Sequence, residues 1–156
     1  MTSNQLNIRM IPAPPARMPA HETITSEQVS QLVDSFYERV RSDEQLAPLF
    51  LQHMSLDWPE HLGRTKAFWR SVLLKTGEYK GKPVPAHTKM QNVETEDFVH
   101  WLDLFGITVR EVFAPAAQPI VIEAAQRIAT SLWLAMKADP FSKPPIWPKA
   151  REGDLK

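Results

Sequence analysis

The stretch TSEQVSQLVDSFYERV, residues 25–40, decides the fold. Thr25 followed three positions later by Gln28 has the pattern of a capping box, in which each side chain satisfies a backbone N–H of the other. Val29, Leu32, Val33, Phe36, Tyr37 and Val40 then return at helical spacing, so one stripe of this segment is built for burial. The same period recurs outward along the chain. In DWPEHLGRTKAFWRSVLLKTG, residues 57–77, Asp57 is a cap, Pro59 sits in the first turn and Gly77 is a stop. TEDFVHWLDLFGITVREVF, residues 95–113, carries Phe98, Trp101, Leu102, Phe105, Val109 and Val112 on one face. QPIVIEAAQRIATSLWLAMK, residues 118–137, begins at a proline and repeats with Val121, Ala125, Ile128, Leu132 and Met136. Pro48 interrupts the shorter DEQLAPLFLQ, residues 43–52. No segment alternates as a strand does. The expected class is all-α, with four substantial helices plus short pieces.

A chain of 156 residues suits one domain with a sizeable core. Its 18 basic and 18 acidic residues cancel, which speaks against a nucleic-acid or anionic-membrane partner. With no cysteine, disulfides, thiolate metal sites and a cysteine nucleophile are excluded. No apolar run has the length of a signal peptide or a membrane span, so the expected location is the cytoplasm. Prolines crowd both ends: Pro12, Pro14, Pro15 and Pro19, then Pro140, Pro144, Pro145 and Pro148. Residues 1–22 and 139–156 therefore read as extended arms flanking a domain at 23–138. Phe141, Ile146 and Trp147 are the residues able to dock the C-terminal arm.

Among polar residues, His61 shares a helix face with Thr65, Phe68 and Val72 rather than with Lys66 and Arg70. Taken alone it reads as a core-edge histidine with a backbone partner. Tyr37 and Trp101 alone read as core aromatics whose polar atoms find a partner near the rim. His87 stands apart, because Pro83 and Pro85 restrict the chain just before it. His21, His53 and His100 read as an arm, a loop and the polar side of a helix. The spacings of a non-haem metal site are missing, as are a nucleophile elbow and a phosphate-cradling glycine loop. What these residues leave open is a prosthetic group that carries its own metal and needs one protein ligand, as haem does.

Taken together, Phe36-Tyr37, DWPEHLGRTKAFW, YKGKPVPAH and DFVHWLDLF resemble the group III truncated haemoglobins. The resemblance spans roughly residues 24–137. It rests on the Phe-Tyr pair, on His61 seven positions before Phe68-Trp69, on a Tyr-x-Gly-x-Pro run leading to His87, and on the Trp-Leu-x-Leu-Phe block. His61 and His87 lie 26 positions apart, as the family's distal and proximal histidines do. The absence of any Gly-Gly pair also agrees with this group.

The resemblance implies a shortened globin fold, a two-over-two helical sandwich around haem b. It makes His87 the iron ligand and places Tyr37, His61 and Trp101 on the distal side. Arg64 is expected near a propionate and Phe50 flat on the porphyrin, with Phe68, Trp69 and Met90 lining the apolar cavity. Thr65 departs from the pattern, putting a hydroxyl where an aliphatic residue is common. It is expected to bond back to a helix carbonyl, or to alter how ligand or water is held. The implied function is reversible binding of O2 at a five-coordinate iron, with NO, CO, cyanide and peroxide as further haem ligands. Two alternatives accompany it: an NO dioxygenase or peroxidase-like enzyme needing a reductase, and a haem-free helical interaction domain with proline-rich arms.

Overall fold

The computed structural model describes residues 19–53, 58–79, 93–136, 141 and 143–147, with backbone alone for 51–53. Its helices are α1 (Ser26–Ser42), α2 (Ala47–His53), α3 (Trp58–Leu74), α4 (Thr95–Val112) and α5 (Gln118–Met136). Among the described residues there is no strand. Helix α1 packs on α3 and on α4, and α4 packs on α5. Two helices thus lie over two, as the sequence leads one to expect. No helix among the described residues is long and apolar enough to cross a membrane.

The capping box forms as read. The Thr25 N–H donates to Gln28 Oε1 at 3.0 Å, and the Gln28 N–H donates to Thr25 Oγ1 at 3.1 Å. All six residues of the α1 stripe are buried. Each such side chain contributes about 1.5–3 kcal/mol, an upper bound because the unfolded chain already hides some of it. Phe36 is the centre of this face. Its ring meets Trp101 and Phe105 of α4 edge-on, both at 5.3 Å between centroids.

Two local expectations change. Pro48 does not interrupt α2 but occupies its first turn, where a missing N–H is harmless, so His53 ends a helix rather than lying in a loop. Helix α3 stops at Leu74, three residues before Gly77. Lys75 takes the left-handed position with φ 61°, and its Nζ donates to the Val72 carbonyl at 3.0 Å. The proposed cap Asp57 lies outside the described residues.

The α1–α2 corner hangs on Asp43. One carboxylate oxygen accepts the Gln45 and Leu46 N–H groups at 3.0 and 2.9 Å. The other meets His100 Nε2 at 2.7 Å, tying the corner to α4. Partial burial pushes the Asp43 carboxyl up, but the His100 hydrogen bond and the Leu46 and Gln45 amides outweigh it. The net result lies below the ordinary value of 3.8. Gln45 adds a second tie, donating to Asp97 Oδ1 at 2.8 Å. These bonds fix where the corner presents Leu46 and where α2 presents Leu49 and Phe50.

Parts of both arms lie against the domain. The Ala20 N–H donates to the Leu73 carbonyl at 2.8 Å, and Ile24 is buried. At the other end, the Trp147 indole N–H donates to Thr130 Oγ1 at 2.8 Å, and its ring packs on a cluster of Phe98, Ala129 and Trp133. Phe141 and Ile146 are exposed.

Candidate functional site

Between the two layers lies a cavity of about 600 Å³, its mouth included. Tyr37 enters it from α1, and Leu46, Leu49 and Phe50 from the α2 corner. Helix α4 contributes Phe98 and Trp101, and α5 contributes Ala129, Leu132 and Met136. Val93 and Asp97 complete the wall. A second cavity of similar volume opens between α3 and α5, walled by Phe68, Val72, Ile128 and Arg127 among others. Leu132 lines both. The partial exposure of Leu132 and Ile128 has a physical reason here: their helix face borders space rather than another helix.

Tyr37 is the most constrained polar residue of the first cavity. Its ring stands edge-on to Phe36 at 5.1 Å, to His61 at 5.1 Å, to Phe50 at 5.9 Å and to Trp58 at 6.1 Å. Burial pushes its phenol from 10.0 up to about 12, although a hydrogen bond with Thr65 pulls the other way. At neutral pH the hydroxyl therefore keeps its proton. Thr65 Oγ1 donates to the His61 carbonyl at 2.8 Å, the helix back-bond the sequence suggests. His61 Nε2 lies 3.5 Å from the same oxygen. The His61 ring is also edge-on to Trp58, at 5.7 Å, and Arg41 stacks its guanidinium 4.8 Å from the Trp58 ring.

Trp101 stacks on Phe105, with centroids 5.4 Å apart and planes at 17°. Its indole N–H has no hydrogen-bond partner among the described residues, although the side chain lines the cavity. A phenol and an indole, both donors, thus border one apolar space. The lining is otherwise hydrocarbon except for Asp97, whose oxygens are taken by Gln45 and the Glu94 N–H. A pocket of this size, apolar with a few placed donors, suits a hydrophobic group held by few polar contacts.

No family model matches the chain. Among curated proteins it is similar to the group 3 truncated hemoglobin ctb of Campylobacter jejuni subsp. jejuni serotype O:2. The two are 33% identical over 112 residues, covering 70% of this chain and 88% of that protein. The crystal structure of group III truncated hemoglobin from Campylobacter jejuni matches with a TM-score of 0.70 at 30% identity, covering 76% of this chain and 95% of that one. The chain belongs to the group 3 truncated haemoglobins. It is a globin, and globins are haem-binding proteins.

The truncated haemoglobin fold brings several of the expected site residues together. Tyr37, Phe50 and Trp101 share the first cavity, with His61 and Thr65 directly behind Tyr37. Phe68 lines the second cavity and meets Tyr79 edge-on at 5.2 Å. Trp69 lines neither cavity. It is buried in the core, tilted against Phe105 at 5.1 Å. Arg64 is exposed and paired with Glu60 at 2.9 Å, one helical turn away. His87 and Met90 lie outside the described residues.

Other lining residues escaped the sequence reading. Asp97 has the look of a helix-start residue, which it also is, accepting the Glu94 N–H at 2.8 Å. Trp58 lines neither cavity but packs on Tyr37 and His61; it sits beside a proline and gives no periodic signal. Leu46 and Leu49 face the cavity only because the Asp43 corner turns them there.

Proposed function

We propose that this truncated haemoglobin is a cytoplasmic protein that binds haem b through His87 and reversibly takes up O2, with NO as a further ligand. His87 would hold the haem, which when bound would supply an iron able to take a diatomic ligand and place negative charge on it. The chain's own residues do the rest. The observation that carries the reading is the pair of donors, Tyr37 hydroxyl and Trp101 indole, bordering one otherwise apolar cavity. Donors aimed at a developing charge act most strongly where water is excluded and the local dielectric is low. His61, edge-on to Tyr37, is the third polar side chain on this side and stands as the gate between cavity and solvent.

Chain connectivity supports His87 as the iron ligand. Residues 80–92 are joined at one end to Tyr79, which packs on Phe68 of the second cavity, and at the other to Val93 of the first. Phe50, Phe68 and Leu132 supply apolar surface against a porphyrin, at about 25 cal/mol per Å² removed from water. The absorption spectrum of the purified protein tests the reading. An intense Soret band should track protein concentration and be lost in His87→Ala. A folded, colourless protein that refuses added haem would overturn it.

A further inference from the structure

Three rings close on one another where α1 meets α3. The centroids of Tyr37 and His61 are 5.1 Å apart, those of Trp58 and His61 5.7 Å, and those of Tyr37 and Trp58 6.1 Å. The His61 ring is nearly perpendicular to both partners, at 86° to Tyr37 and 89° to Trp58. Arg41 lays its guanidinium over the Trp58 ring, 4.8 Å from the centroid. Helical spacing builds the group. Tyr37 and Arg41 stand one turn apart on α1, and Trp58 opens α3 one turn before His61. Exposure rises outward through it: Tyr37 is buried, His61 and Trp58 are half-buried, and Arg41 is exposed. Trp58 touches the two polar residues of the distal side without lining either cavity. Any effect it has on a haem ligand therefore passes through its neighbours.

We propose that Trp58 is a positioning residue that latches the His61 ring against Tyr37, with Arg41 holding the latch, and so sets how fast small ligands enter and leave. This rests on the reading of His61 as the gate. An imidazole with a perpendicular ring on two sides cannot swing toward solvent without losing contact with both. One aromatic pair of this geometry favours the held position roughly 2- to 10-fold. The cation over Trp58 fixes the indole in turn, by roughly 2- to 5-fold at an exposed site. Entry and escape share the route, so the latch changes both rates together and leaves affinity near the parent value. Loss of a donor such as the Tyr37 hydroxyl changes escape alone.

The test is CO association after flash photolysis, and CO dissociation by displacement, in the ferrous haem-loaded protein. The variants are Trp58→Leu, Trp58→Phe, Arg41→Gln, His61→Ala and the Trp58→Leu/His61→Ala double variant. Trp58→Leu should speed both rates roughly 2- to 10-fold. Trp58→Phe keeps a ring and should stay nearer the parent, and Arg41→Gln should speed both rates by a smaller factor. In the His61→Ala background, Trp58→Leu should add nothing, because the latch has nothing left to hold. A second readout does not involve ligand passage. In the diamagnetic CO complex labelled with 13C-histidine, the His61 ring signal is the one lost in His61→Ala. That signal should shift or broaden by exchange in Trp58→Leu. If His61→Ala speeds both rates but Trp58→Leu leaves the rates or the His61 signal unchanged, the latch is overturned while the gate stands. Equal acceleration by Trp58→Leu with and without His61 overturns it too, since Trp58 would then be a plain wall of the route. If His61→Ala changes neither rate, the gate reading falls, and the latch with it.

Discussion

The rings of Tyr37 and His61 stand edge-on, with centroids 5.1 Å apart and planes at 86°. This contact holds the phenol between α1 and α3, so removing its hydroxyl alone leaves the ring where it is. Tyr37→Phe should therefore retain the aromatic packing and lose one donor. A hydrogen bond to a charged acceptor is worth about 1.5–3 kcal/mol, so O2 release should speed up roughly tenfold or more. Stopped-flow displacement of O2 checks this, and an unchanged rate would remove Tyr37 from the role.

The same burial predicts an alkaline limit to stability. The Tyr37 phenol is raised from 10.0 to about 12 in the folded chain. Its contribution is complete below pH 10.0 and is lost as pH climbs toward about 12, because the unfolded chain releases that proton first. Urea unfolding between neutral pH and pH 11, roughly, should show the parent losing stability above pH 10 more steeply than Tyr37→Phe. Parallel curves would mean that the phenol is solvated.

Asp43 governs the acid side. Its carboxyl lies below 3.8 in the folded chain, so its contribution is present above that value and disappears as pH falls through the folded pKa. Asp43→Asn should be less stable than the parent at neutral pH, since the His100 bond and the α2 cap both weaken. The gap should close progressively below about pH 4. Denaturant midpoints of the two proteins across this range decide the matter; a gap independent of pH would show that the carboxylate charge is not involved.

The helices were legible because their stripes are long. Six of six α1 positions are buried, and Phe98, Phe105, Val109, Val121 and Ala125 are buried as periodicity requires. The adjacency of His61 and Thr65 on one helix face was legible, since spacing alone sets that geometry. The site was not legible where tertiary packing decides. Trp69 adjoins Phe68 in sequence, yet a rotation of about 100° per residue sends it into the core while Phe68 faces a cavity. Arg64 pairs with Glu60, a neighbour that a one-turn spacing makes equally available.

Lys75 ends α3 at a cost. A side chain with φ 61° sits in the region that glycine occupies without strain. Its compensating bond to the Val72 carbonyl is exposed and therefore weak. Lys75→Gly should raise stability by about 0.5–1 kcal/mol, the relieved strain exceeding the lost bond and the added chain entropy. Chemical denaturation measures it, and a destabilised variant would show that the lysine bond outweighs the strain.

Trp147 gives the C-terminal arm a function in the domain. Its indole donates to Thr130 at 2.8 Å, and its ring covers Phe98, Ala129 and Trp133. Phe98 and Ala129 also wall the first cavity, so the arm braces the outer side of residues whose inner side faces that space. Trp147→Phe removes the hydrogen bond and should cost about 1 kcal/mol, whereas Trp147→Ala also removes ring contact and should cost about 2 kcal/mol or more. Thr130→Val should cost about as much as Trp147→Phe, and the double variant should cost little more than either, because both remove one shared bond. A loosened wall should also release haem faster, so transfer to an acceptor apoprotein should accelerate in Trp147→Ala. Additive losses in the double variant would mean that Thr130 and Trp147 act independently. Unchanged stability together with unchanged haem transfer would show that the arm rests on the domain without bracing it.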